Sequence, residues 1–213
     1  MLKIVMLITA VLTVVAVGGL LVFVYVIQNV EQPEYALVQR DGNFELRDYP
    51  ALTVAEVQRS GARREALGAG FGPLARYIFA KEQAGERAGG KIAMTAPVIQ
   101  QPEAGAAGAG AGAGAGDWTV GFIMPKAAVK AGLPNPANTD IRLTELAPRR
   151  VAAVRFSGRT TDARIAAQRA RLEDWIAGQG LRILSPPIYA YYNDPLTPGP
   201  LRRNEILFDV AAN

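Results

Sequence analysis

Neither cysteine nor histidine occurs anywhere in the 213 residues. Without cysteine there are no disulfides, no thiolate nucleophile and no thiolate metal site. Without histidine the chain loses the commonest general base and the commonest transition-metal ligand together. Enzyme motifs are missing too: there is no G-x-S-x-G elbow, no phosphate-binding lysine loop, no G-x-G-x-x-G opening a helix and no recognisable pair of catalytic carboxylates. The expectation is a non-enzymatic protein with no catalytic residues and no metal ligands. Charge is sparse in sign: 23 basic against 19 acidic residues leave a net +4, with the two signs interspersed. A nucleic-acid binder shows a basic stripe with interleaved aromatics, and this chain has none, so nucleic acid is not an expected partner.

Charge is absent altogether from Ile4 to Ile27. At ~1.5 Å per residue that run reaches roughly 36 Å, longer than a hydrocarbon core of about 30 Å. It predicts a single-pass transmembrane anchor. A cleaved signal peptide is the competing reading, but its apolar region is about 7 to 15 residues and ends in a small-x-small site, whereas this one ends "VFVYVIQNVEQPE". The balance of Lys3 before the span against Glu31 and Glu34 after it places the following domain outside the cytoplasm. Residues 1–33 are thus read as anchor and short linker, and 34–213 as one domain large enough to bury a core.

Within the domain, "YALVQRDGNFELRDYP" carries an Asp41-Gly42-Asn43 turn between two extended runs, and "ALTVAEVQRSG" reads as a strand closed by Gly61. Leu67, Phe71, Leu74 and Ile78 then fall at helical spacing, with Gly68, Gly70, Gly72 and Pro73 predicting a kink or fresh start near Pro73. "GGKIAMTAPVIQQ" and "DWTVGFIMP" are strand candidates separated by an Ala/Gly tract, residues 104–116, expected to be a disordered hairpin insertion. "TVAEVQRSGA" and "RVAAVRFSGR" align without a gap, Val54 on Val151 and Gly61 on Gly158, and each precedes a helix. The second helix, about Thr161 to Ala177, has a threonine cap and turns Ile165, Leu172 and Ile176 inward. A duplicated β-β-α-β-β unit is the economical reading: an α+β fold whose halves join into a distorted, partly open barrel with two helices.

"KIAMTAPV", "FIMP", "LPNPANTDIRLTEL", "VAAVRFSG" and "YNDPLTPGPLRRNEIL" stand in the order and spacing that resemble the SOUL haem-binding family, over about residues 34 to 210. The resemblance implies a duplicated α+β barrel without general catalysis and a shallow apolar groove beside the first helix that takes up tetrapyrroles. Along "FGPLARYIF" it implies an apolar contact at Phe71, a small one at Ala75 and a basic one, for a propionate, at Arg76; Gly68 and Pro198 stand where some haem binders carry Arg or Lys. Tyr77 and Met94 complete the ligand-binding candidates. For Met94 the alternative is a core residue beside a strand-ending Pro97, and for Arg76 a solvated helix face. Met and Tyr as axial ligands need a His partner or a basic neighbour, so the haem expected here is bound mainly by burial. Arg203 and Glu205, two apart on a strand, are read as a structural ion pair. The function expected is a membrane-anchored tetrapyrrole-binding protein; the alternative is a non-enzymatic envelope module binding lipid or protein on the same fold.

Overall fold

The computed structural model describes residues 30–103 and 116–212, with Gly18 alone before them. The expected membrane anchor, residues 4–27, therefore lies outside the described residues apart from Gly18, and so does the Ala/Gly tract apart from Gly116. Among the described residues no helix is long and apolar enough to cross a membrane. Glu31–Asn213 is a compact unit whose three apolar clusters are built from its own residues.

In chain order this unit has β1 (Ala36–Asp41), β2 (Phe44–Tyr49), β3 (Leu52–Gly61), α1 (Arg63–Ile78), β4 (Gln83–Ala84), β5 (Val98–Pro102), β6 (Gly116–Ile123), α2 (Lys126–Ala131), β7 (Asn135–Pro136), β8 (Arg142–Leu146), β9 (Arg149–Phe156), α3 (Asp162–Gly178), β10 (Leu181–Ile183), β11 (Ile188–Tyr191), a single 3-10 turn (Gly199–Leu201) and β12 (Asn204–Ala212). Gly116 is thus the first residue of a strand rather than the last of a disordered insertion. The large sheet runs β1-β2-β9-β12-β11-β5-β6-β3-β8, with β10 on β12, and the pairings are antiparallel.

The duplication is written in this order. β2-β3-α1-β5-β6 corresponds to β8-β9-α3-β11-β12, and the two halves meet symmetrically where β5 pairs β11. Each half sends its first strand to the other: β2 lies on β9, and β8 lies on β3. Only Pro50 and Ala51 join β2 to β3, although these strands sit near opposite ends of the sheet. Consecutive Cα atoms are about 3.8 Å apart, so so short a link forces the sheet to curl. It does not close: β1 and β8 form its two edges. The expected two-helix barrel is corrected to a large open antiparallel sheet with three helices, the third being the short α2.

The first helix also departs from its sequence pattern. It runs from Arg63 through Pro73 to Ile78 without a fresh start. Its inward face is Ala66, Gly70, Leu74, Tyr77 and Ile78, so Leu74 and Ile78 turn inward as expected, whereas Phe71 is 39% exposed. The stripe is offset because two small residues make the contact: a Cβ on Gly70 would stand 2.7 Å from the Val120 Cβ. That is backbone-close packing of helix on sheet, which a search for large apolar residues passes over. The helix α3 follows expectation, with the Thr161 hydroxyl accepting from Arg164 N at 3.3 Å and Ile165, Leu172 and Ile176 buried.

"GGKIAMTAPVIQQ" is not one strand. β5 begins at Val98, after a cis Ala96-Pro97 bond, and the preceding residues form a loop whose Thr95 hydroxyl donates to the Ile123 carbonyl. Pro97 therefore removes no donor from the ladder.

One polar cluster is buried in the sheet. Glu205 accepts from Arg47 Nη1 at 2.6 Å and Nη2 at 3.1 Å, from Arg203 Nη2 at 2.7 Å, and from the Tyr192 hydroxyl at 3.0 Å. Arg47 Nε reaches Glu45 at 2.7 Å. Burial acts to raise the Glu205 carboxyl, but the hydrogen bonds and charges of Arg47 and Arg203 prevail and hold it below its ordinary value. The pair read from "RRNEI" is thus one side of a network that pins β12 to β2.

Candidate functional site

α1 begins at adjacent arginines, and the two do different work. Arg63 is buried and donates to the Tyr191 hydroxyl at 2.8 Å, the Thr160 carbonyl at 2.8 Å and Asp162 at 2.7 Å. Tyr191 donates in turn to Gln100 Oε1 at 3.1 Å, and Gln100 Nε2 donates to the Arg63 carbonyl at 2.7 Å. The circuit locks the start of α1 to the start of α3 and to β11. Arg64, one residue on, faces solvent and makes no ion pair among the described residues.

Between α1 and the loop from Asn193 to Arg202 lies a cavity of about 520 Å³. Leu67 and Phe71 of α1 and Val98 of β5 supply its apolar wall, Arg64 and Arg202 flank it, and Tyr191 and Asn204 give it polar depth. The Phe71 ring meets the Phe122 ring edge-on, centroids 5.2 Å apart at 64°, which holds a half-exposed aromatic in place. Gly68 leaves an opening, since a Cβ there would have nothing within 4 Å. Such a volume suits a small-molecule ligand, for which about 300 to 1,000 Å³ is usual.

Its one carboxylate, Asp194, accepts from Leu196 N at 2.7 Å. His and Cys are absent from the chain, and among the described residues no cluster of acidic side chains suits a metal ion. The Tyr191 phenol is pushed up to about 12, chiefly by burial, so it stays protonated at neutral pH and is committed to Arg63 and Gln100. The lining sets the apolar side chains Leu67, Phe71 and Val98 beside the cations of Arg63, Arg64 and Arg202.

Of the residues expected at the groove, Phe71 lines this cavity. Ala75 is half-buried further along α1. Arg76 is ion-paired with Glu82 at that far end of the helix. Tyr77 is fully buried, donating to the Pro134 carbonyl at 2.7 Å, and burial pushes its phenol to about 12. Met94 is 38% exposed in the loop before β5. Arg64, Leu67, Val98, Tyr191 and Arg202 were missed. Arg63-Arg64 opening the helix and the proline-rich "DPLTPGPLRRN" were the available signals.

A second cavity, about 280 Å³, lies against the sheet face bearing Val54, Ile99 and Ile188. Glu56 and Asp209 line it beside Arg149. Burial raises the Asp209 carboxyl despite Arg149, whose Nε stands 3.0 Å from Oδ1, close enough for attraction but poorly aligned as a hydrogen bond. Two carboxylates against one cation disfavour an anionic ligand here, so the larger cavity is the better candidate for one.

Comparison with known proteins bears on this geometry. The family model described as SOUL heme-binding protein matches residues 30–209. No curated protein matches the chain. Among solved structures, the EcmrR C-terminal domain superposes with a TM-score of 0.58 at 13% identity, covering 84% of this chain and 99% of that one. A hydrolase from Listeria innocua gives 0.55 at 12% identity, covering 82% and 94%. At such identities these likenesses speak for the fold alone.

Proposed function

The chain belongs to the SOUL haem-binding protein family, and from that premise we propose that the cavity between α1 and the 193–202 loop takes up a tetrapyrrole without enzymatic turnover. The observation that carries this is the pairing of an apolar wall, Leu67, Phe71 and Val98, with the exposed Arg64 in the same lining. The ring would lie against Leu67, Phe71 and Val98, and Arg64 would meet a carboxylate. Haem would bring its iron, for which these residues supply no axial donor, so retention rests on burial of the ring and on the arginines. The same reading has residues 4–27 holding the domain at a membrane, on the extracytoplasmic side; what supports it is the uncharged run itself.

Titrating residues 31–213 with haemin and following the Soret band tests the proposal. Saturable binding with a high-spin spectrum is expected, because the strong-field ligand pair of a low-spin cytochrome is missing. Arg64→Glu should weaken binding by roughly 1 kcal/mol, the scale of a partly exposed ion pair. Phe71→Asp should weaken it more, with thermal unfolding recorded to exclude misfolding. A flat titration of the unmodified domain, or equal binding by all three folded proteins, would overturn it.

A further inference from the structure

The loop that walls the cavity ends in an apolar tip that the fold leaves uncovered. Leu196 is 82% exposed and Leu201 57%, set among Pro195, Pro198 and Pro200. The tip is built rather than slack. Leu196 N donates to Asp194 Oδ1 at 2.7 Å, Thr197 N to the Asp194 carbonyl at 3.0 Å, and Leu201 N to the Pro198 carbonyl at 3.0 Å. Arg202 Nε donates to the Thr197 carbonyl at 2.7 Å, and Gly158 N to the Gly199 carbonyl at 2.9 Å, which ties the loop to the turn before α3. A leucine held outward on a braced turn has paid its ordering entropy without gaining burial. Its environment is cationic. Arg159 approaches the loop at Gly199, Arg164 stands beside Gly158, and Arg64 and Arg202 line the cavity the loop walls. The acidic groups facing them are Asp194, turned onto the loop backbone, and Asp162, engaged by Arg63.

We propose that this rim docks on an anionic lipid surface, with Leu196 and Leu201 entering the interface and Arg64, Arg159 and Arg164 facing the headgroups. Apolar tip and surrounding cations are the two elements of interfacial attachment, each too weak alone. The opening of the cavity would then face the bilayer. The inference does not depend on what the cavity holds.

Residues 31–213, whose core is self-contained, serve as the probe, so that the apolar N-terminal run plays no part. They should co-sediment with vesicles of phosphatidylcholine containing about 30% phosphatidylserine and far less with phosphatidylcholine alone, and the difference should shrink as salt shortens the Debye length. Leu196→Asp should lower the partition coefficient about tenfold, the decade that one leucine's transfer represents. The paired substitution Arg64→Glu with Arg159→Glu should erase the preference for anionic vesicles. Both sites are exposed, so unchanged thermal unfolding is expected. Leu196→Trp should show a blue-shifted emission on adding anionic vesicles. No sedimentation with anionic vesicles, or sedimentation untouched by Leu196→Asp and by the charge reversal, would overturn the proposal, as would a tryptophan emission at position 196 that stays water-like while the protein is vesicle-bound.

Discussion

Gly68 and Gly70 sit two residues apart on α1, and the same substitution at each should act with opposite sign. Replacing a helix-interior glycine by alanine removes backbone freedom from the unfolded chain and stabilises by about 0.5 to 1 kcal/mol where the site is open. At Gly68 it is open: a Cβ meets nothing within 4 Å. At Gly70 the Cβ would stand 2.7 Å from the Val120 Cβ, 2.8 Å from its Cγ2 and 3.1 Å from its Cγ1. Ordinary carbon contact is about 3.5 to 4 Å, so helix and sheet must part by roughly 1 Å, and Val120 is a fully buried strand residue without room to turn. Overpacking of that kind costs about 1 to 3 kcal/mol, which exceeds the propensity gain. Gly70→Ala should therefore destabilise by about 1 to 2 kcal/mol net, and Gly68→Ala should stabilise by up to about 1 kcal/mol. Urea unfolding of residues 31–213, followed by far-UV circular dichroism with the slopes compared, measures both. The packing account fails if Gly70→Ala is as stable as the parent, or if both variants shift together.

Glu205→Gln should cost about 3 to 5 kcal/mol, because Arg47 and Arg203 lose their shared counter-charge in a buried site. Glu205 and Glu45 both titrate below their unfolded value of 4.5 in the folded protein. Their contribution is therefore fully present above about pH 4.5 and drains away as pH falls through the folded values. Thermal unfolding between neutral and acid pH should show a steep acid loss in the parent and a shallower one in Glu205→Gln, and identical profiles would contradict the network. Asp209 is raised and acts in the opposite direction, so the variant's profile should not be flat. Replacing residues 104–115 by a short turn should leave the unfolding midpoint nearly unchanged, since the β5–β6 ladder already holds Pro102 opposite Trp118 and Glu103 N on the Asp117 carbonyl at 2.9 Å. Loss of a cooperative transition would show that the tract is needed for folding.

Repetition made most of the architecture readable. Val54 and Val151 take the same place in β3 and β9, and Gly61 and Gly158, at and just beyond the ends of those strands, both adopt positive φ, +121° and +98°. The exchange of β2 and β8 between halves was not readable, because strand alternation says which face a residue takes and not which strand lies beside it. The helix α1 misled for a related reason: Phe71 and Leu67 fit a periodic inward stripe, yet Gly70 and Ala66 take the sheet and leave them for the cavity wall. Arg76 is expected as a propionate contact on family spacing, and spacing carries no knowledge of Glu82, six residues on, which engages Arg76. Leu196 lies within "YNDPLTPGPLRRNEIL", but a solitary exposed leucine is unremarkable until its loop proves braced.

The reciprocal loan of strands has a consequence for synthesis. Phe44 of β2 pairs with Val154 of β9, roughly a hundred residues later in the chain. At ~5 to 20 residues per second the first hairpin leaves the ribosome about 5 to 20 s before its partner exists, and spends that time with an unpaired, half-apolar edge. The first half cannot mature alone: β3 waits for β8, and β5 waits for β11. Completion of the unit falls to β12, made after its other strands, which contacts β9, β10 and β11 and carries Glu205 to Arg47. A nascent chain stopped short of Asn204 should consequently be a client for chaperones or proteases rather than a smaller working protein.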